Sequence, residues 1–332
     1  MKSISLTLFN LLLLSSILSA QSPAPSDTSK YYEFHINYWI NAHHFLWLEA
    51  FMNVEKDSTL VTHRLQKKDL KIWIETLNYY KKNLVQEDLR SSDYMSNFKE
   101  WIITQDESLD DNIPETFQSH VAMLQSVHPV YQKYFWPEHQ SVCQSVIADN
   151  ISLLRKVESD YVDQITTLTR QFWEFTKIRV DLTYVAKASK WNLRNRPYTS
   201  LFPTHVVMNA VGENKVQGNW IELLFHESAH HLILPGSYFV GGTINDYAES
   251  KNIKPPRQLW HAYLFYFTGQ IAKNLLNAEG IDYPVTYMER NRVFSKYFPL
   301  LEKHLTPYMN REATLAEATS IFIREYNNGQ QK

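Results

Sequence analysis

Apolar positions recur at helical spacing over most of the first half of the chain. From Tyr31 to Glu55, Phe34, Tyr38, Phe45 and Leu48 share one broad face, with Trp39 and Trp47 flanking it. Asp69 to Leu84 and Met95 to Ile103 read as further amphipathic helices. Pro114 opens another that runs to about Tyr131, with Pro129 set to bend or end it. From Pro137 to about Lys177 an unbroken series, including Val142, Val146, Leu154, Tyr161, Ile165 and Phe172, predicts one long helix or two nearly collinear ones.

The period changes at Ile178. Val180, Leu182 and Tyr184 alternate with polar neighbours up to Val185, which suits a half-buried strand. Asn192 to Pro203, carrying Pro197 and Pro203, reads as turns, and His205 to Val211 as a second strand. After a loop over Gly212 to Gly218 the helical period returns, interrupted around Pro235-Gly236, Gly241-Gly242 and Pro255-Pro256. No linker signal follows residue 30. The expectation is one compact unit of α+β class, predominantly α-helical. A helical N-terminal lobe over 31–177 joins a lobe over 178–332 with a small sheet.

Composition agrees with this: 8 glycines in 332 residues favour long helices over a turn-rich β architecture. A net charge of −2 gives no electrostatic case for nucleic acid or for an anionic membrane surface. Residues 1–20 stand apart. Lys2, the apolar run Leu8 to Leu18 and Ser19-Ala20 have the layout of a secretory signal peptide cleaved after Ala20, with 21–30 as a polar linker. Leu18 stands where a small residue is usual, so an uncleaved anchor is the alternative; the run is short for a membrane span. The expected location is secreted or periplasmic, with no stable span after cleavage. Cys143 is the only cysteine, which leaves no intramolecular disulfide and reads as a buried, inert thiol.

Chemistry concentrates in Trp220 to Leu234, where His226-Glu227-Ser228-Ala229-His230 matches H-E-x-x-H. On a helix, residues four apart stand one turn apart on one face, so both imidazoles can reach one ion. Neutral imidazole is a good zinc donor, and two leave room for a third ligand and a water. Glu227 projects beside that face, where it can accept a proton without ligating the metal. Gly218-Asn219 is a plausible start for this helix and Pro235-Gly236 a plausible stop. Leu223, Leu224, Leu232 and Ile233 would bury it, and buried imidazoles need partners.

The segment resembles the active-site helix of zincin metallopeptidases, and the likeness covers roughly residues 178 to 280. It implies a Zn2+-dependent hydrolase acting on peptides or proteins, with 178–332 as the catalytic lobe. His205 to Val211 would be the edge strand that aligns an extended substrate. Asn41-Ala-His-His-Phe45 and the stretch from Trp260 resemble, more loosely, uncharacterised secreted bacterial zincin-like proteins. The alternatives are a secreted helical binding protein with a structural or inactive zinc site, and a zinc hydrolase of non-peptide amides or esters.

Three residues compete as third ligand. His261 is the sole side chain that titrates near neutral pH in the apolar Gln258 to Gly269 stretch, where an unpaired imidazole is costly, and it is preferred. Glu249, nineteen residues after His230, sits near the gluzincin spacing, and Asp246 resembles that branch's acidic phrase but is one carbon shorter. Glu222, one turn before His226, could accept a ring proton from it or brace a neighbour. His231 is off the ligand face, and His35, His43 and His44 read as structural or surface groups on the first helix. Tyr308, Tyr287 and His205 are candidates to stabilise an oxyanion.

Overall fold

The computed structural model describes residues 28–52, 64–105, 109, 112–189, 192–201, 204–212, 217–236 and 238–330. The leader expected over 1–20, and most of the linker, lie outside these residues. The chain begins as a strand, β1 (Tyr32–His35), so Phe34 and His35 belong to a sheet and not to the first helix. That helix, α1 (Tyr38–Met52), starts only after Asn37, whose Oδ1 accepts the Ile40 N–H at 3.0 Å. Then come α2 (Lys67–Asn83), α3 (Asp93–Ile102) and α4 (Gln118–Tyr134). Pro129 lies inside α4 without ending it. The break comes instead at Phe135, and Pro137 occupies the first turn of α5 (Trp136–Thr169), where its missing N–H costs nothing. α5 stops short of the expected Lys177 because Arg170 turns left-handed, at φ 51°, and Phe172 is left exposed.

Five strands follow: β2 (Ile178–Thr183), β3 (Lys187–Ser189), β4 (Asn192–Arg196), β5 (Tyr198–Ser200) and β6 (His205–Asn209). β3 and β4 form an antiparallel pair of their own. The main sheet runs β1-β2-β6-β5, parallel through β6, with β5 antiparallel at the edge. Two expectations change here. The stretch 192–203, read as turns, contains two strands. His205 to Asn209 is an interior strand, paired on both sides, and the edge belongs to Tyr198–Ser200.

The remaining elements are α6 (Asn219–Ser228), α7 (Tyr238–Ser250), α8 (Leu259–Ala278), α9 (Tyr287–Arg290), α10 (Phe298–Met309) and α11 (Leu315–Gln330). The fold is therefore α+β and predominantly helical, around a small sheet. Strand alternation assigns the two sheet faces to two cores. Val180, Leu182, Val206 and Met208 join α5, α6 and α8, whereas Tyr198 and Val207 join the core of α1 to α4. The cores thus divide the chain elsewhere than at residue 178: β1 and Leu154 to Ile165 of α5 pack with the second-half helices. Among the described residues no helix is long and apolar enough to cross a membrane. Cys143 is fully buried, which pushes its thiol up to about 12.

Candidate metal centre

α6 carries the H-E-x-x-H segment and is buried along its whole length. Gly218 starts it at φ +84°, and a β-carbon there would come within 2.7 Å of Leu276 Cδ1 on α8. The helix ends inside the motif. His226 and Glu227 lie in its last turn, and Ala229–His231 tighten into a 3₁₀ turn that still keeps His230 on the side of His226. α8 crosses beside it closely because Gly269 presents only hydrogen to Glu222 Oε1 and Thr286.

That crossing brings the third imidazole in. The donor atoms of His226, His230 and His261 all lie within 4.8 Å of one another. The Nε2 atoms of His226 and His261 are 3.3 Å apart, and the ring centroids of the trio are separated by 5.0 to 5.3 Å. Two ligand nitrogens on one tetrahedral zinc stand about 3.3–3.4 Å apart, from bond lengths of about 2.0–2.1 Å, so the donor set and this spacing fit zinc. Phe265 stacks on His226 at 3.7 Å, and Trp260 stacks beside His261 at 5.0 Å. Burial, followed by the other two imidazoles, holds His226 well below the ordinary histidine range. His230 is held there by burial and His261, and His261 is lowered to about 4, chiefly by burial. All three present neutral nitrogen at neutral pH.

Glu227 lies next to the trio, its Oε2 3.8 Å from His230 Nε2. The Thr199 hydroxyl on β5 lies 2.9 Å from that carboxylate oxygen and 2.7 Å from the Glu227 carbonyl, tying the edge strand to the end of α6. The other two β5 side chains are held from the opposite face. Tyr198 OH meets His44 Nε2 at 2.7 Å, and buried Lys99, lowered by burial to about 8, donates to Ser200 Oγ. Tyr198, Thr199 and Ser200, with His226, Glu227 and His230 and with Trp260, His261 and Phe265 of α8, line a cleft of about 650 Å3. A larger cavity of about 860 Å3 lies elsewhere, against His35, Tyr38 and Trp136, and holds none of the trio.

The other sequence candidates fall outside the cluster. Asp246 and Glu249 are exposed on α7. Glu222 does not meet His226. It braces a neighbour instead, accepting from Tyr283 OH at 2.6 Å and from the Tyr287 N–H at 2.8 Å, and burial raises it to about 7. His231 packs against Trp173 and Phe175, with Nδ1 2.6 Å from the Ser228 carbonyl. His43 is buried against Tyr80, and His35 sits beside Glu33 on β1. His205 is buried with Asp181 at 2.8 Å, and Tyr308 donates to the Leu168 carbonyl, so neither offers a donor to the cleft. Tyr287 is buried, its ring stacked on Phe265. Thr199, Arg90 and Arg196, which do line the cleft, carry no local signal in the sequence and meet only through the fold. No protein-family model, curated protein or solved structure matches the chain.

Proposed function

We propose that the protein is a secreted or periplasmic zinc hydrolase, of the zincin kind, that cleaves peptides. The observation that carries this reading is the convergence of three neutral imidazoles with Glu227 alongside, all four lining one cleft. His226, His230 and His261 would hold the ion. When bound, zinc supplies Lewis acidity that makes a water nucleophilic near neutral pH and polarises the carbonyl under attack. Glu227 takes the proton of that attacking water and returns it to the departing amine. Thr199 fixes the carboxylate in position for both transfers. Peptide is favoured over other amides and esters because an edge strand, β5, lines the cleft and can pair with an extended main chain.

The test is zinc content and hydrolysis of a peptide library by the wild type and by Glu227→Gln. Zinc should bind one per chain in both, and Glu227→Gln should lose about 10²–10⁴-fold in kcat, the range of a general base. A wild type that binds zinc without turnover would leave a structural metal site. Activity that survives in Glu227→Gln would sink the mechanism.

A further inference from the structure

We propose that the cleft takes a substrate bearing a free carboxylate, received by the guanidinium groups of Arg90 and Arg196, which line it together with the histidine trio. This rests on the hydrolase reading above and names its substrate class. Arg90 belongs to the turn after α2, a turn held by Asp88, whose Oδ1 accepts the backbone N–H of Arg90 at 2.9 Å and of Ser91 at 3.1 Å. The Arg90 carbonyl is held in turn by Ser96 Oγ at 3.2 Å. The side chain lines the cleft at its exposed rim.

Arg196 lines the same cleft. It ends β4, directly before Pro197 and the edge strand. Its guanidinium carbon is 6.0 Å from the centre of the Tyr287 ring, which stacks on Phe265, which stacks on His226. Neither guanidinium has a carboxylate partner among the described residues, and Arg196 Nε is buried with no hydrogen-bond partner among them. Among the described residues Glu227 is the only acidic group lining the cleft, against two arginines, in a chain whose net charge is −2. The local sign is thus opposite to that of the whole molecule. A planar guanidinium fork matches a carboxylate in shape and charge, and a partly buried one gains from that pairing. The carboxylate can be the free C-terminus of a peptide or an acidic side chain within it.

Binding separates this inference from the question of turnover. Calorimetry on zinc-loaded Glu227→Gln protein would use three matched N-acetylated pentapeptides. One has a free C-terminus, one a C-terminal amide, and one an amide together with an internal glutamate. At least one carboxylate peptide should bind about tenfold or more tighter than the uncharged amide. The one that does identifies the source. Arg90→Gln and Arg196→Gln should each remove most of that preference while zinc content and circular dichroism stay unchanged. Equal binding of all three peptides, or no binding, overturns the inference. So does a preference that survives in both arginine variants, because the metal alone would then receive the carboxylate. Failure of the hydrolase reading shows separately, as zinc loss or as absent hydrolysis in the wild type.

Discussion

Burial holds His226, His230 and His261 neutral, and this decides how protons compete with a metal for them. A proton displaces a metal from an ordinary imidazole as pH falls through about 6.5. Here the folded-state values are lowered, His261 to about 4. Proton competition is therefore confined to lower pH, and zinc content should stay constant from pH 8 down to about 5. Loss of zinc already at pH 6 to 7 would contradict the neutral trio. If the trio holds zinc as proposed, His261→Ala should weaken it by more than the roughly 10–100-fold typical of an outer partner, whereas Glu249→Ala and Asp246→Ala should leave it unchanged. Competition with a fluorescent chelator measures both. On the proposed mechanism, Thr199→Val removes the hydroxyl that orients Glu227 and leaves the β5 main chain in place, so it should lower kcat about tenfold with KM unchanged. A changed KM at constant kcat would assign Thr199 to substrate binding.

The elements around the site depend on a few positions where no β-carbon fits. Gly218→Ala would place a methyl group in a left-handed backbone and within 2.7 Å of Leu276 Cδ1, at the start of the helix that carries His226. It should destabilise the protein by about 1–3 kcal/mol in urea unfolding; a neutral effect would show that α6 can shift on α8. The same elements show what local sequence carries. The helical period located most of α1 to α6, and the isolation of His261 on apolar α8 pointed to the residue that lies beside His226. The edge strand was hidden because Tyr198–Ser200 is three residues long, too short for a readable alternation, and sits between Pro197 and Pro203. His205 to Asn209 looked like an edge because one strand's pattern does not say how many neighbours it pairs with. Arg90 could not be found at all: it is a turn residue more than a hundred positions before the motif, and only packing of the N-terminal helices brings it to the cleft.

On the scale of the whole molecule, stability depends on pH through buried groups that act in opposite directions. His44, His226 and His230 have lowered values, so the unfolded chain binds more protons than the folded one as pH falls through the ordinary histidine range. Their contribution is present above about 6.5 and is lost as pH falls towards their folded values. Glu222 does the reverse. Its folded value is raised from 4.5 to about 7 by burial, against the pull of Tyr283 and the Tyr287 N–H. The folded state therefore holds the proton more tightly. That contribution is fully present below about 4.5 and is lost as pH rises to about 7, beyond which the difference is constant. A shift of this size corresponds to about 3 kcal/mol at most. Glu222→Gln keeps an acceptor for Tyr283 or Tyr287 and cannot titrate, so comparing it with wild type, both zinc-loaded, cancels the histidines. Relative to the variant, wild type should lose up to about 3 kcal/mol of unfolding free energy between pH 4.5 and pH 7, measured by urea titration at each pH. A difference that stays flat across that window would mean that Glu222 remains ionised, with its bonds to Tyr283 and Tyr287 outweighing the cost of burial. The brace that seats α9 on α6 would then be a charge and not a proton.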